Sequence, residues 1–184
     1  MFDVDQLIAG CRAAVAEDEP RRAIREVLER ALDRPGEVAD ALLPPEGGLD
    51  MLHHAPDLTV INVVWAPGMR LFPHNHRMWA AIAIYTGRED NEFFRRTAPG
   101  APTLTGSGGK VITEGDVVVL GDDTIHAVSN PTGRLTGAIH VYGGDFVNEP
   151  RSQWGPGPVE ERPYDMDIAL QQFAEANAAW RAEK

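Results

Sequence analysis

Residues 68–87 read GMRLFPHNHRMWAAIAIYTG, and the interpretation of the fold depends on this stretch. It contains His74 and His76, which are two positions apart. In a β-strand, residues two apart point to the same face of the sheet, so the two imidazoles would project together. An apolar interior has little use for two adjacent polar rings unless they bind something. A His-x-His pair also occurs by accident in surface loops, so further ligands are needed to indicate a metal site.

The central part of the chain is divided into short strand-like runs. Residues 58–65, 79–85, 117–120 and 135–142 are rich in β-branched and aromatic side chains, and turn signals with glycine or proline separate them. Many short strands with regular turns predict a sandwich or a small barrel. The glycine-rich residues 106–109 follow no strand-to-helix pattern, so they predict a hairpin turn and not a phosphate loop. Charged residues in one further run predict a solvated strand face: Glu89, Glu92, Arg95 and Arg96.

Helical patterns flank this central part. Residues 3–43 carry apolar side chains at helical spacing, and Pro20 suits the first turn of a second helix. The Pro-Gly pair at 35–36 and the Pro-Pro pair at 44–45 predict the end of this helical part. Residues 147–163 contain four prolines and two glycines and predict an ordered loop, called the strap below. Residues 166–182 have apolar side chains at three- and four-residue steps and predict a C-terminal helix.

The chain has 184 residues, which is the size of about one domain. We therefore expect a single domain over residues 1–184. It would consist of a helical addition at 1–45, a strand-rich barrel at 50–147, and the strap with the C-terminal helix at 148–184.

Composition and charge exclude several classes of function. Lys and Arg number 17 and Asp and Glu 28, so the net charge is −11. This excess argues against non-specific nucleic-acid binding, which needs a basic surface, and against docking on anionic lipid. The one cysteine, Cys11, allows neither an internal disulfide nor a Cys-based zinc site. The opening residues, with Asp3 and Asp5, do not resemble a signal peptide, and no apolar run approaches about 18 residues. We expect a soluble cytoplasmic protein without nucleic-acid or membrane partners.

A second stretch, residues 115–130, reads GDVVVLGDDTIHAVSN and contains a third histidine, His126. Together the two stretches resemble the paired motifs of cupins, which are small double-stranded β-helix barrels. The first stretch has the cupin spacing of its glycines and of its His-x-His pair, with Ala80 where cupins have a glutamate ligand. In the second stretch the histidine and the final asparagine match. Gly121 and Asp123 occupy turn positions where cupins have proline and glycine.

The resemblance covers roughly residues 50–147. It implies a mainly β fold, a cupin-type double-stranded β-helix or jelly roll, with N-terminal helices and a C-terminal helix. It also implies that His74, His76 and His126 bind one metal ion. Three imidazoles without a carboxylate suit Fe, Ni, Cu and Zn about equally, so ligand type alone does not select the metal. Sheet edges of cupins often pair, so a homodimer is compatible with this fold.

A cupin with three histidines and no glutamate resembles the thiol dioxygenases, the family of cysteine dioxygenase. That resemblance implies Fe(II) as the cofactor and the conversion of a thiol and O2 into a sulfinate. These enzymes carry a Ser-x-His-x-Tyr run after the third ligand, and the matching residues here are Ala138, His140 and Tyr142. The resemblance implies that Tyr142, oriented by His140, hydrogen-bonds the substrate or the oxygen. Strand alternation places both rings on one face. A buried pair that satisfies only itself is the alternative.

The residue that binds the substrate departs from the family pattern. Cysteine dioxygenase holds the substrate carboxylate with an arginine upstream of the first motif, and residues 47–48 in that region are glycines. Ala81 stands where some members have a cysteine crosslinked to the tyrosine, so no such crosslink is expected. Arg70 is the replacement candidate, because in a strand starting at residue 70 it shares a face with the histidines. A solvated Arg70 is the alternative, with His53, His54 or the strap as the substrate contact.

The predicted function is the Fe(II)-dependent oxidation of a small thiol, cysteine-like or a mercapto acid, to a sulfinate. Two other functions stay open, because the fold alone does not determine the chemistry. One is a cupin metalloenzyme that acts on a carbon substrate as a dioxygenase, isomerase or decarboxylase. The other is a non-catalytic cupin that binds a small ligand.

Overall fold

The computed structural model describes residues 1–156 and 160–183. Three helices come first: α1 (Val4–Val15), α2 (Pro20–Ala31) and α3 (Pro35–Leu42). Eleven strands occupy the middle of the described chain: β1 (Gly48–Ala55), β2 (Leu58–Trp65), β3 (Arg70–Asn75), β4 (Ala80–Thr86), β5 (Arg88–Arg96), β6 (Leu104–Thr113), β7 (Val117–Leu120), β8 (Ile125–Ser129), β9 (Thr136–Tyr142), β10 (Ser152–Trp154) and β11 (Glu161–Pro163). The last helix is α4 (Met166–Ala182). None of the helices in these described ranges has the length and apolar character needed to cross a membrane.

The N-terminal helices begin where the sequence supplies a start signal. The side chain of Asp3 accepts hydrogen bonds from the backbone N–H groups of Asp5 and Gln6, at 2.9 and 3.2 Å, and so caps α1. Pro20 and Pro35 stand in the first turns of α2 and α3, where a backbone N–H has no partner inside the helix. The prediction that Pro35-Gly36 marks the end of the helical part is therefore wrong, because Pro35 starts a third helix, whereas Pro44-Pro45 does follow the end of that helix at Leu42.

The strands form two antiparallel sheets. One sheet has the order β1-β2-β9-β4-β7 and the other the order β11-β10-β3-β8-β5-β6. From β2 to β5, and again from β6 to β10, successive strands lie in opposite sheets, so the chain winds between the two. This is a cupin-type double-stranded β-helix, as the sequence motifs predicted, with helices added at both ends.

Apolar side chains fill two layers. The interior between the sheets holds inward-facing residues of both, such as Ile82 and Val128. The opposite face of the five-stranded sheet packs against the N-terminal helices, where Ile24 and Ile139 belong to one buried cluster. Strand β4 therefore has both faces buried, which explains its continuous apolar sequence at residues 80–85.

Most of the predicted element boundaries agree with the structure. β2 and β7 coincide with the predicted runs 58–65 and 117–120, and α4 coincides with the predicted helix at 166–182. Residues 106–109 do not form the predicted hairpin turn, because they lie inside β6 and pair with β5 across a bulge. Glycines suit this position, since a bulge needs backbone conformations that glycine adopts at little cost.

The strap lies against the six-stranded sheet. It contains β10 and β11, and its residues 157–159 lie outside the described residues. Gln153 of β10 pairs with His74 of β3. Glu161 of β11 binds the guanidinium of Arg96 and accepts a hydrogen bond from the Ser152 hydroxyl at 2.7 Å. These contacts attach the strap beside the first histidine motif.

Candidate metal centre

Three histidine side chains meet inside the barrel. His74 on β3 is directly opposite His126 on β8, and His76 follows the end of β3. The Nε2 atom of His76 lies 3.2 Å from Nε2 of His74 and 3.2 Å from Nε2 of His126. All three rings are buried. They are the one group of at least three His, Cys, Asp or Glu residues, within the described ranges, that is arranged to hold a metal ion.

A β-bulge aims the first motif into the barrel. Leu71 pairs with Val128 and His74 with His126, so two residues of β3 oppose one residue of β8 between these pairs. The extra residue reverses the alternation of side chains. Leu71 and His74 consequently both line the interior cavity. Pro73 lies in the bulge, a position that tolerates a residue without a backbone N–H.

Hydrogen bonds on the outer ring nitrogens leave Nε2 free in two of the histidines. Nδ1 of His74 lies 3.0 Å from the carbonyl oxygen of Phe72, and Nδ1 of His126 lies 2.6 Å from Oδ1 of Asn91. Carbonyl oxygens only accept, so each Nδ1 carries the hydrogen and each Nε2 presents its lone pair to the centre. Nδ1 of His76 has no such partner among the described residues.

Burial keeps the three imidazoles neutral. It lowers the pKa of His74 to about 3. The pKa of His76 and that of His126 also lie well below the usual value, first because of burial and then because of the neighbouring histidines. The neutral imidazole is the form that binds a metal ion, so these rings need not release a proton to do so at neutral pH.

The three nitrogens fit the dimensions of a metal ion. Two imidazole nitrogens bound to one ion at about 2.0–2.1 Å are about 2.8–3.0 Å apart in octahedral geometry and about 3.3–3.4 Å apart in tetrahedral geometry. The observed separations are 3.2 Å. Nε2 of His74 and Nε2 of His126 present lone pairs toward Nε2 of His76, and either a hydrogen on that atom or a cation satisfies them. Ala80, at the position of the cupin glutamate, adds no carboxylate. The donor set is three neutral nitrogens, and it does not distinguish Fe from Ni, Cu or Zn.

His140 and Tyr142 of β9 stand beside these ligands. Nδ1 of His140 lies 3.1 Å from the hydroxyl oxygen of Tyr142, and both side chains are buried. The ring centroid of Tyr142 is 5.1 Å from that of His76. Burial raises the pKa of Tyr142, so the hydroxyl keeps its proton at neutral pH and remains a hydrogen-bond donor. The structure thus brings together five side chains that the sequence singled out.

A small apolar cavity lies in front of the histidines, with a volume of about 30 Å³. Aliphatic and aromatic side chains form most of its wall, and Phe173 of α4 stacks on Trp65 with the ring centroids 5.3 Å apart. Helix α4 therefore contributes to closing the barrel around the site. A larger open groove, about 490 Å³, lies between the N-terminal helices, and none of the histidines lines it.

Arg70 does not face this cavity. Its side chain is 63% exposed and binds Glu92 at 2.6 Å. The prediction assumed unbroken alternation from residue 70 to His74, and the bulge after Leu71 reverses that alternation. The prediction that Arg70 shares a face with the metal ligands is therefore wrong, and Arg70 is a solvated surface residue.

His53 and His54 of β1 do not line the cavity either. Nε2 of His54 lies 2.7 Å from the carboxylate of Asp145 near the surface. The pKa of Asp145 is lowered to about 2, first by hydrogen bonding from Asn148 and then by His54. His53 is half-buried. The alternative in which these histidines contact a substrate is not supported by their positions.

Glu89 was predicted on a solvated strand face and is instead completely buried, with 0% of its side chain exposed. It accepts hydrogen bonds from Nε1 of Trp65 at 2.7 Å and from Nδ2 of Asn91 at 2.9 Å. A signal for this burial was present in the sequence. Residues 89 and 91 share one face of a strand, whereas Glu92 lies on the other, exposed face.

Besides Glu89, the sequence analysis missed Arg151 of the strap as a candidate functional residue. Only 8% of the residue is exposed. Its guanidinium lies 3.9 Å from the ring centroid of Phe146 and 3.6 Å from that of Tyr164, and both rings line the cavity. Nη1 has no hydrogen-bond partner, and no carboxylate of the described chain forms a salt bridge with Arg151. A buried cation without a counter-ion is costly, so an anion is expected to bind beside it.

The two rings that hold Arg151 connect it to the metal ligands. The ring centroid of Tyr164 is 5.7 Å from that of His74, and the centroid of Phe146 is 5.9 Å from that of His76. Arg151 is one of the groups that lower the pKa of His74, after burial. The three neutral histidines thus line the cavity, and the guanidinium of Arg151 lies against Phe146 and Tyr164, two of the rings in the cavity wall.

No protein-family model matches the chain. A protein of known structure from Bacillus halodurans is similar with a TM-score of 0.52 and 13% identity, over 73% of this chain and 90% of that one. A conserved protein with a double-stranded β-helix domain from Klebsiella pneumoniae has a TM-score of 0.47 and 14% identity, over 62% and 87%. A cupin superfamily protein from Desulfitobacterium hafniense has a TM-score of 0.46 and 13% identity, over 59% and 88%. Because the sequence identity to the Bacillus halodurans protein is 13%, this similarity shows the fold alone.

Proposed function

We propose that the chain is an Fe(II)-dependent dioxygenase that oxidises a small, carboxylate-bearing thiol to a sulfinate. One thiolate and one O2 combine: both oxygen atoms are transferred to sulfur, which loses the four electrons that O2 gains. The observation that carries the proposal is the three-histidine group in one buried cavity, with Arg151 packed against two rings of the cavity wall and its Nη1 without a hydrogen-bond partner. The resemblance of the sequence to the thiol dioxygenases supports it.

His74, His76 and His126 would hold the ion through their Nε2 atoms. When bound, Fe(II) supplies positive charge that favours the thiolate form of the substrate, and it exchanges electrons with O2. Because these ligands are neutral, they leave the charge of the ion uncompensated for an anionic substrate. The three rings line the cavity, so a substrate in the cavity reaches the centre directly.

Arg151 would bind the carboxylate of the substrate. A guanidinium offers two parallel N–H donors to a carboxylate, and the charge makes these hydrogen bonds stronger than neutral ones. Phe146 and Tyr164 cover the guanidinium on ring faces, which holds it in place and removes water from around it. Arg151 thus takes the role that the sequence prediction gave to Arg70.

Tyr142 would donate its hydroxyl hydrogen to the substrate or to the oxygen. Its raised pKa keeps the hydroxyl protonated, and His140 holds the oxygen atom of this hydroxyl at 3.1 Å. A donor fixed in place before the reaction stabilises developing negative charge without reorganisation. The pair therefore has a role in positioning and charge stabilisation.

The walls of the cavity select a short, apolar substrate chain. Apart from the histidines and tyrosines, the side chains that surround the centre are aliphatic or aromatic: Leu49, Ile61, Val63, Trp65, Leu71, Val128, Phe146, Met166 and Phe173. These side chains exclude water and offer no partner to an ammonium group. A mercapto acid matches this arrangement better than an amino acid, because its chain between sulfur and carboxylate carries no further polar group.

The experiment is oxygen uptake by the iron-loaded full-length chain with a panel of thiols. Mercaptopropionate, the matching mercaptopropanol and cysteine are compared, with isotopically labelled O2 and mass spectrometry of the product. The proposal predicts uptake with the mercapto acid and two labelled oxygen atoms in a sulfinate. Uptake only with a carbon acid would favour the rival cupin oxygenase. Absence of bound metal would favour a ligand-binding cupin.

A further inference from the structure

Glu89 is a buried carboxylate on which three polar side chains converge. Oε2 accepts a hydrogen bond from Nε1 of Trp65 at 2.7 Å, and Oε1 accepts one from Nδ2 of Asn91 at 2.9 Å. Nε2 of His140 lies 3.6 Å from Oε2, too far for a hydrogen bond, and has no other partner in the described chain. No lysine or arginine within the described ranges forms a salt bridge with this carboxylate. Burying a carboxylate without a positively charged partner is costly, so the burial of Glu89 needs an explanation.

The chemistry of these neighbours requires an acceptor at position 89. The indole nitrogen of Trp65 can only donate, and a carboxylate is the side chain that accepts on both of its ends. An amide of the same shape would offer one oxygen and one NH2 group. It would therefore turn a donor toward either Trp65 or Asn91.

The carboxylate determines which way the amide of Asn91 points. Because Oε1 of Glu89 only accepts, the group of Asn91 that faces it is the NH2 group. The carbonyl oxygen of Asn91 then faces Nδ1 of His126, at 2.6 Å. This contact places the ring hydrogen of His126 on Nδ1 and leaves Nε2 as the free ligand atom. Glu89 thus controls the tautomer of a metal ligand through one intervening side chain.

The same carboxylate faces the second functional pair. His140 uses Nδ1 for the hydroxyl of Tyr142, so Nε2 is the nitrogen turned toward Glu89. At 3.6 Å this nitrogen makes no hydrogen bond to the carboxylate, so the contact through Asn91 is the one that links Glu89 to the histidine cluster.

We propose that Glu89 is a positioning residue that sets the metal-binding tautomer of His126 through Asn91. The inference rests on the metal site of the proposed function and not on its thiol chemistry. Partners of metal ligands of this kind typically change metal affinity by about 10–100-fold when they are replaced.

The test uses Glu89→Gln in the full-length chain, with Glu92→Gln as the matched control on the exposed face of the same strand. Zn(II) affinity is measured by competition with a chelator. The ring hydrogens of His126 are observed by long-range proton–nitrogen NMR of the Zn(II)-loaded chain. We expect Glu89→Gln to bind Zn(II) roughly 10–100-fold more weakly and to weaken the Nδ1–H signal of His126. Glu92→Gln should change neither.

A double-mutant cycle identifies the route. If Glu89 acts through Asn91, then Glu89→Gln should reduce Zn(II) affinity much less in a chain that already carries Asn91→Ala. Full additivity, or unchanged affinity and an unchanged His126 signal in a folded Glu89→Gln chain, would overturn the proposal.

The parent chain provides a test that does not depend on the folding of any variant. The proposal requires that His126 carries its hydrogen on Nδ1, and a His126 ring protonated on Nε2 in the metal-free parent would overturn it. A parent chain that binds no Zn(II) or Fe(II) would contradict the proposed function. The tautomer of His126 would still be measurable in that case and would decide the inference about Glu89 separately.

Discussion

Replacing Arg151 by methionine separates a functional role of this residue from a structural one. Methionine keeps an unbranched, flexible stem, and its thioether makes favourable contacts with aromatic rings, here those of Phe146 and Tyr164. It removes the guanidinium, which has no carboxylate partner in the described part of the chain. Arg70→Met is the matched control, because Arg70 is exposed and pairs with Glu92 at the surface.

The expected loss of substrate affinity follows from the strength of one charged hydrogen-bonding contact. A hydrogen bond to a charged group contributes about 1.5–3 kcal/mol, which corresponds to a factor of roughly 10–150. We expect Arg151→Met to raise KM for the mercapto acid by this factor and to leave KM for the mercapto alcohol nearly unchanged. Arg70→Met should change neither constant.

The same variant should not lose stability along with substrate affinity. Burying an unpaired charge costs several kcal/mol in general, whereas the two ring contacts return about 0.5–2 kcal/mol each. The melting temperature of Arg151→Met should therefore stay the same or rise, as measured by calorimetry. A clear fall in melting temperature together with equal losses on acid and alcohol would refute the argument and make Arg151 a structural residue.

Three further outcomes follow from the structure. Tyr142→Phe should keep the metal content, measured by elemental analysis, and lower turnover by about 10–1000-fold; full activity would make the tyrosine ordinary core. The pKa of His74 is lowered to about 3 in the folded chain. Between the ordinary pKa of histidine and this lowered value, the unfolded chain therefore binds more protons than the folded chain. The urea midpoint of the metal-free chain should fall as the pH drops from neutral toward about 3, and a flat profile would contradict this. Gly143→Ala should destabilise the chain by at least about 1–3 kcal/mol, because a Cβ would overlap the ring of Trp79. Gly133→Ala, with open space around its Cβ position, is the control in the same unfolding assay.

The fold and the meeting of three histidines in the barrel could be predicted because their signals are local. Two motifs with fixed spacing determined the positions of His74, His76 and His126, and alternation along one strand was enough to place His140 beside Tyr142. These inferences need only short-range backbone geometry, and that geometry is regular on β8 and β9.

The errors arose where long-range packing or an irregular backbone controls the position of a side chain. Arg70 faces solvent because a bulge in β3 shifts the alternation by one residue, and no residue type marks that bulge unambiguously. Glu89 is buried where Trp65 of β2 donates to it across the barrel, besides Asn91 of its own strand. Arg151 lies in the strap, whose path across the barrel depends on pairing with a strand almost 80 residues earlier, as the contact of Gln153 with His74 shows.

The central claim is that three histidines would hold an iron ion at which O2 oxidises a thiol. The most direct measurement is the ratio of sulfinate formed to O2 consumed by the iron-loaded chain with mercaptopropionate, in the parent and in His126→Ala. The account predicts one sulfinate for each O2 in the parent, and loss of both iron and activity in a variant that still folds. Disulfide or peroxide as the product, or equal iron content and activity in His126→Ala, would contradict it.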